Sequence, residues 1–125
     1  MIVLDASAIL TLLHDEPGAG EVADHLSGAL LCSANMAEVV GKLVDVGVSI
    51  LPVRELLGAA GVRVEPLTDD DAVLAGALRT VPGGTTLSLG DRCCIALGAR
   101  HQATVVTADR TWADLALPVA VRLIR

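Results

Sequence analysis

The chain has 125 residues, a length that fits a single domain spanning residues 1–125. Hydrophobic residues make up 53% and charged residues 19%, which excludes an intrinsically disordered chain. With one Trp and neither Phe nor Tyr, it lacks the aromatic platform on which proteins stack single-stranded bases. A net charge of -6 excludes the basic surface that binds duplex nucleic acid non-specifically.

Hydrophobic runs and cysteines indicate the cellular compartment of the protein. No apolar run approaches the roughly 18 residues of a membrane helix, and Asp5 interrupts the segment where a signal peptide would be apolar. Cys32, Cys93 and Cys94 are odd in number and two are adjacent, which argues against a disulfide framework. We therefore expect a cytoplasmic protein with no membrane segment. The mean hydropathy of +0.63 indicates that a partner covers some apolar surface.

Short apolar runs alternate with longer helical segments, as is typical of a parallel sheet covered by helices on both faces. The predicted strands are Ile2–Leu4, Ala29–Cys32, Val62–Val64, Thr104–Thr107 and Val119–Ile124. The predicted helices are Ala6–Leu13, Gly20–Leu26, Asn35–Val46, Val53–Ala60, Asp69–Leu78 and Leu89–His101, with a short turn at Trp112–Leu115. Pro52 is interpreted as a break before a helix. The predicted fold is a single three-layer α/β/α domain with a five-stranded parallel sheet.

Two acidic residues follow predicted strands. Asp5 comes directly after the first strand, and Asp109 comes shortly after the fourth. Because parallel strands end at the same edge of a sheet, these carboxylates face each other if the two strands are neighbours. Each residue could instead serve as an ordinary turn or helix-capping residue.

Two more acidic residues lie at predicted helix starts. Glu38 follows Asn35 by three residues, and Asp91 follows Ser88 by three, which is the spacing of a capping box. Taken singly, capping is the better interpretation of each pair. Asp69–Asp71 is likewise interpreted as a helix N-terminus rather than a metal cluster.

The four acids have few basic partners. Lys42 could pair with Glu38, and an arginine directly follows both Asp91 and Asp109, but no basic residue accompanies Asp5. Converging carboxylates without enough partners are stabilised by a divalent cation, since burying unpaired charge is costly. Ligation by oxygen alone favours Mg²⁺, with Mn²⁺ as a substitute.

The segments around these acids resemble the four acidic blocks of the PIN-domain ribonucleases, and most of all the VapC-type toxins of bacterial toxin-antitoxin pairs. The segments are IVLDASA (residues 2–8), ANMAEV (34–39), LSLGDRCCIAL (87–97) and TADRTW (107–112). The resemblance covers nearly the whole chain in order. It implies a sheet in which the strands lie in the order third, second, first, fourth, fifth.

The resemblance also implies functional roles. Its acidic quartet, which would bind Mg²⁺ and act in catalysis, corresponds to Asp5, Glu38, Asp91 and Asp109. The implied reaction is metal-assisted hydrolysis of RNA that leaves a 5′-phosphate and a 3′-hydroxyl. Glu38 is the better candidate to orient or deprotonate the attacking water, although it could equally be a ligand.

Several nearby residues have open roles. Ser7 and Thr107 could bond a ligand water or a phosphate oxygen, and capping or packing roles are at least as plausible for them. Arg92 and Arg110 could hold RNA phosphates or pair with carboxylates. Asp114 is interpreted as a surface residue rather than an outer acid of the site.

The toxin resemblance implies an antitoxin partner and a homodimer, both using the apolar helices that follow the first strand. Other functions remain open: a solitary nuclease, a receiver-like phosphoacceptor domain and a silent interaction domain. A receiver domain needs a late-strand lysine, but the only lysine is Lys42. A phosphatase of the haloacid dehalogenase type needs an acid two residues after Asp5, where Ser7 stands.

Overall fold

The computed structural model describes residues 1–125 as five strands and six α-helices. The strands are β1 Ile2–Leu4, β2 Leu30–Cys32, β3 Arg63–Glu65, β4 Thr104–Thr107 and β5 Ala120–Leu123. The α-helices are α1 Ala6–Leu13, α2 Ala19–His25, α3 Ser33–Asp45, α4 Ile50–Ala59, α5 Asp69–Ala77 and α6 Leu89–His101. Short 3₁₀ helices lie at Leu78–Thr80, Gly84–Thr86 and Arg110–Asp114. None of the helices has the length and apolarity needed to cross a membrane.

All five strands are parallel, in the order β3-β2-β1-β4-β5. The central strand β1 pairs with β2 at Val3↔Leu30 and with β4 from Ile2↔Thr104 onward. The chain therefore turns to opposite sides after β1 and β4, and a crevice opens at their carboxyl ends. The predicted fold class and the strand order implied by the resemblance are both confirmed.

The sheet separates two hydrophobic clusters. Because successive residues of a strand point to opposite faces, Val3 contributes to one cluster and Leu4 to the other. The first cluster contains α5, α6 and Trp112, and the second contains α1, α2, α3 and α4. Gly98 lets α6 approach the sheet closely, since a Cβ there would lie 2.6 Å from Cγ2 of Val105.

Two helices begin at least two residues earlier than predicted. Helix α3 begins at Ser33, two residues before Asn35, and α4 begins at Ile50 rather than Val53. Pro52 therefore lies in the first turn of α4, and the expectation that it precedes the helix is wrong. Proline is compatible with a first turn, because the backbone N–H groups there have no acceptor within the helix.

The exposed apolar side chains are concentrated in one part of the chain. Seven of the ten large ones fall within residues 44–64: Val44, Val46, Val48, Ile50, Leu51, Leu56 and Val64. By contrast, the apolar residues of α1 and α2 are buried in the second cluster or packed against it. The surplus of apolar surface thus lies at the end of α3, on α4 and on β3, and not on the early helices as expected.

Helices α5 and α6 are joined by a polar contact. Asp71 closes a capping box with Thr68 at the start of α5, as the acidic run predicted. The same carboxylate, only 3% exposed, accepts a hydrogen bond of 3.0 Å from Nε of Arg100 on α6. The contact and the hydrogen bonds from Thr68 hold the pKa of Asp71 below its ordinary value against the opposing effect of burial.

Candidate metal centre

Four carboxylates line one cleft at the carboxyl edge of β1 and β4. Its volume is about 200 Å³, and its walls are formed by Asp5, Ala6, Ser7, Leu10, Glu38, Lys42, Asp91 and Asp109. Asp5 follows β1 directly, Asp109 lies two residues beyond β4, Glu38 is on α3, and Asp91 is in the first turn of α6. The structure therefore brings the four predicted acids together from four separate segments.

Asp5 is buried and held by two hydroxyl groups. Its Oδ2 accepts hydrogen bonds from Ser7 Oγ at 2.7 Å and Thr107 Oγ1 at 2.9 Å. These hydroxyls accept from the backbone N–H groups of Ala108 (3.0 Å) and Asp109 (3.1 Å), respectively. Both protons are thus committed to Oδ2, while Oδ1 has no protein donor. Ser7 and Thr107 orient Asp5, and Thr107 does not line the cleft.

The cleft carries more negative charge than its surroundings balance. Burial, together with the charges of Asp91 and Glu38, raises the pKa of Asp5 to about 6, although the two hydroxyl hydrogen bonds oppose the shift. Partial burial also raises the pKa of Asp91, which has the added repulsion of Asp109. Desolvation of the Glu38 carboxylate raises its pKa in the same direction, with a further contribution from Asp91. Such a site favours a cation.

Asp91 both caps a helix and lines the cleft. Its Oδ2 accepts from the Ser88 N–H at 2.9 Å, and its own N–H donates to Ser88 Oγ at 3.1 Å, so the predicted capping box is present. The second carboxylate oxygen has no protein donor. The capping box thus fixes one oxygen and leaves the other available to a ligand, and the two interpretations of Asp91 are compatible.

The capping interpretation of Glu38 is wrong. Because α3 begins at Ser33, Glu38 lies beyond the first turn, where it caps no backbone N–H. Asn35 is buried, and its Nδ2 donates to Glu38 Oε1 at 2.9 Å and to the Gly90 carbonyl at 3.0 Å. Glu38 is consequently tied to α6 and held at the cleft.

Asp109 begins the 3₁₀ helix at Arg110–Asp114. Its Oδ1 accepts from the N–H and the hydroxyl of Thr111, at 3.0 and 2.7 Å. Its other carboxylate oxygen has no protein donor. Asp114, at the far end of this short helix, is exposed and does not line the cleft, which agrees with its interpretation as a surface residue.

The two arginines expected near the substrate are not brought to the cleft. Arg92 is buried, and its guanidinium donates to the Ala75 carbonyl on α5 at 2.9 Å. Arg110 donates from Nε to the carbonyl of Arg125 at 3.0 Å. The basic residue that does line the cleft is Lys42, which makes no ion pair with Glu38. Its position one helical turn beyond Glu38 on α3 is the sequence feature that predicts its place at the cleft.

The donor set fits a hard divalent cation. Asp5, Asp91 and Asp109 each present an oxygen without a protein partner, and the cleft contains neither a histidine nor a cysteine. Mg²⁺ and Mn²⁺ prefer such all-oxygen surroundings. As placed, no three acidic, histidine or cysteine side chains are close enough together to hold a metal ion. A cation bound here would contact the carboxylates partly through its own water molecules, of which Mg²⁺ keeps several, or after the side chains move closer together.

Solved structures of similar fold cover the whole chain. A toxin-antitoxin complex from Klebsiella pneumoniae contains a chain with a TM-score of 0.80 and 16% identity, covering 100% of this chain and 98% of that one. FitAcB from Neisseria gonorrhoeae gives a TM-score of 0.63 at 24% identity, with coverages of 99% and 98%. VapBC2 from Rickettsia felis, bound to a DNA fragment from its promoter, gives 0.69 at 13%, with 98% of each chain covered.

At these identities the structural similarity demonstrates the fold alone. A search among curated proteins finds no match to the sequence. The sequence profile of the PIN domain, in contrast, matches residues 2–117, which include every acid of the cleft. With the strand order, the cleft at the carboxyl edge and this match in agreement, the chain belongs to the PIN domain family.

Proposed function

We propose that the protein is a metal-dependent endoribonuclease that hydrolyses RNA phosphodiester bonds, and that it is the toxin of a toxin-antitoxin pair. The observation that carries the proposal is the convergence of four acids on one cleft of a PIN domain. A cleft with a single lysine and four carboxylates repels a phosphodiester unless a cation is present. The metal thus reconciles an acidic protein with a polyanionic substrate.

Asp5, Asp91 and Asp109 would hold the cation, with Glu38 as a fourth ligand or as the group that orients the attacking water. When bound, Mg²⁺ polarises the phosphate and lowers the pKa of a coordinated water. Ser7 and Thr107 keep Asp5 oriented with Oδ1 free. The Glu38 carboxylate can accept a proton from water. Its raised pKa makes it a stronger base than an ordinary glutamate.

Lys42 supplies the positive charge at the wall of the cleft. Its side chain is exposed and lies one helical turn from Glu38, so its ammonium group can reach a phosphate that spans the cleft. This gives Lys42 the phosphate contact that was one of two open roles for Arg92 and Arg110.

The partner proposal has support from the structural relatives. Three solved structures of this fold are described as toxin-antitoxin complexes or as VapBC complexes, although their identities of 13–16% carry only the fold. The chain's exposed apolar residues within 44–64 offer a surface that a protein partner would cover. We propose an antitoxin as a partner on these grounds, with a second copy of the chain as another.

Cleavage of a structured RNA by the purified protein tests the enzymatic part. We expect products only with Mg²⁺ or Mn²⁺ and none after chelation. Asp5→Asn and Asp91→Asn are expected to lower the cleavage rate at least about 100-fold while the circular dichroism spectrum is retained. Asp69→Asn, a matched change at an exposed acid on α5, is expected to cleave normally. Undiminished cleavage by either site variant would contradict the mechanism.

A growth experiment tests the toxin part separately. Induced expression of the wild-type chain is expected to arrest growth, and Asp91→Asn is expected to abolish the arrest. A small gene directly upstream, encoding a DNA-binding protein with an amphipathic tail, is expected to restore growth when expressed together with the chain. A protein that cleaves RNA in vitro but whose arrest no neighbouring gene relieves would instead be a solitary nuclease.

A further inference from the structure

We infer that Asn35 and Gly90 form a seat that fixes the Glu38 carboxylate at the cleft, and that Asn35 is a positioning residue for catalysis. The inference rests on the proposed nuclease function for its consequence, but its geometry stands on contacts alone. Asn35 is 0% exposed, and its Nδ2 bridges Glu38 Oε1 and the Gly90 carbonyl.

Gly90 completes the seat by having no side chain. A Cβ built on Gly90 would overlap Oε1 of Glu38, so the carboxylate occupies the space in which any other residue would place its side chain. The backbone of Gly90 is ordinary α-helix with no positive φ, which means that glycine is required here for room and not for conformation. The Glu38 carboxylate thus packs directly on the first turn of α6.

The seat matters because Glu38 has little else to hold it. The residue as a whole is solvent-exposed, it forms no ion pair with Lys42, and no other protein group donates a hydrogen bond to it. A free glutamate side chain samples many rotamers, and a catalytic group must be held near one geometry. Asn35 and Gly90 therefore restrict a mobile side chain to the position that faces the cleft.

The hydrogen bonding of Asn35 points to positioning rather than stabilisation. Both partners of its amide nitrogen are acceptors, so the orientation of the amide is settled by its contacts. Its Oδ1 is buried and has no hydrogen-bond donor. Burying an oxygen without a hydrogen-bond donor destabilises the folded state. An apolar side chain would fill the same space without this penalty, so packing alone does not explain an asparagine here.

The seat also sets the distance between two acids. Gly90 directly precedes Asp91, so the Asn35 amide links Glu38 on α3 to the backbone beside Asp91 on α6. Glu38 and Asp91 are 53 residues apart in sequence, and this amide is the hydrogen-bonded connection between them at the cleft. We expect the relative placement of the two carboxylates to depend on it.

A double-mutant cycle tests the inference. Asn35→Ala is expected to lower the RNA cleavage rate by about 10- to 100-fold, the range typical of groups that orient catalytic residues. In a Glu38→Gln background, the same change is expected to cost less than about 3-fold, because Asn35 then has no carboxylate to position. Equal losses in both backgrounds would show that Asn35 acts through the fold as a whole, and would overturn the inference.

Gly90→Ala supplies an independent variant in case Asn35→Ala folds poorly. It is expected to lower cleavage about 10-fold or more by displacing the carboxylate, again only when Glu38 is present. Gly76→Ala is the matched control, because Gly76 is an exposed helical glycine on α5 with no atom within 4 Å of a built Cβ. It is expected to cleave at the wild-type rate, whereas full activity of Gly90→Ala would contradict the seat.

Crystal structures of the metal-free Asn35→Ala and Gly90→Ala proteins separate this inference from the proposed function. We expect the Glu38 carboxylate to leave Gly90 in both, with the positions of Asp5 and Asp91 unchanged. This result together with a wild-type protein that cleaves no RNA would retain the seat and reject the nuclease. A Glu38 carboxylate that stays in place in Asn35→Ala would overturn the seat, whatever the activity.

Discussion

Asp5 illustrates how one buried carboxylate links charge, stability and metal binding. Two hydroxyls fix its Oδ2, yet burial and the neighbouring acids raise its pKa to about 6. An aspartate in an unfolded chain titrates near about 4. The folded protein therefore binds a proton more tightly than the unfolded chain does, and between these pH values its stability falls as the pH rises.

The first prediction concerns this pH dependence. Without metal, Asp5 alone should lower the free energy of unfolding by up to about 3 kcal/mol from pH 4 to pH 7, because each pKa unit corresponds to about 1.4 kcal/mol. Asp5→Asn should remove this contribution, and the raised pKa values of Glu38 and Asp91 should leave a smaller decrease in its place. Denaturant titrations in chelator at several pH values measure it. An unchanged slope in Asp5→Asn would contradict the assignment, and Asp69→Asn serves as the control.

The second prediction concerns metal addition. At pH 7.5, Mg²⁺ should raise the melting temperature of the wild-type protein, since a ligand that binds only the folded state stabilises it. The increase should be smaller at pH 5, where Asp5 is mostly protonated, and smaller again in Asp5→Asn at either pH. Differential scanning fluorimetry measures the melting temperature with and without Mg²⁺ for the wild type at both pH values and for Asp5→Asn. Equal shifts in the wild type and the variant would place the metal elsewhere.

The third prediction assigns substrate binding to Lys42. Lys42→Ala should raise KM for RNA by about 5- to 10-fold and change kcat little, because a phosphate contact outside the reacting bond contributes mainly to binding. Arg79→Ala removes the same charge from an exposed site beyond the cleft and should leave KM unchanged. A pure loss of kcat in Lys42→Ala would instead give the lysine a role in the chemical step.

At the scale of the elements, a polar contact between α5 and α6 stabilises the packing of these two helices. Asp71 caps α5 and pairs with Arg100, although it is buried and bears charge. Removing its carboxylate leaves the backbone N–H of Thr68 and Nε of Arg100 without this acceptor. The burial is tolerable because Thr68 and Arg100 together satisfy both carboxylate oxygens.

The fourth prediction follows from that contact. Asp71→Ala should lower the free energy of unfolding by about 2–3 kcal/mol, the sum of a lost capping box and a lost, partly buried ion pair. Because the pKa of Asp71 is depressed, the stabilisation should be present above pH 4 and be lost as the pH falls further. Asp69→Ala on the same turn is the exposed control. Similar losses in the two variants would refute the role of the ion pair.

The elements also show what local sequence can and cannot specify. The bounds of β1, β4, α1 and α6 were predicted to the residue, because strong apolar patterns and a capping residue mark them. The α3 start was missed, since Ser33 follows a fully buried strand without a turn. The contact of Asn35 could not be predicted for a different reason. Its partner Gly90 is 55 residues away, and no local spacing indicates that contact.

At the scale of the whole molecule, the four acids converge because the strand order makes β1 and β4 neighbours. Positions after β1 and β4 could be paired from sequence only if those strands were neighbours, and the structure shows that they are. The directions of Arg92 and Arg110 could not be inferred, because side-chain direction on a helix or loop depends on the elements packed against it.

The fifth prediction concerns self-association. The exposed apolar residues within 44–64 should form the contact between two copies of the chain, since seven of the ten large exposed apolar side chains lie there. Leu51→Lys should shift sedimentation velocity from dimer to monomer. Val73→Lys, at an equally exposed position on α5, should not. A wild-type protein that is monomeric at all concentrations would contradict this prediction.

The central strand β1 has a partner at the far end of the described chain, since Ile2 pairs with Thr104. During synthesis, about one hundred residues follow β1 before its second neighbour, β4, has been made. Asp109, the last acid of the cleft, is made after that neighbour. A fragment that ends before β4 therefore lacks the second neighbour of β1 and cannot bring all four acids together at one cleft.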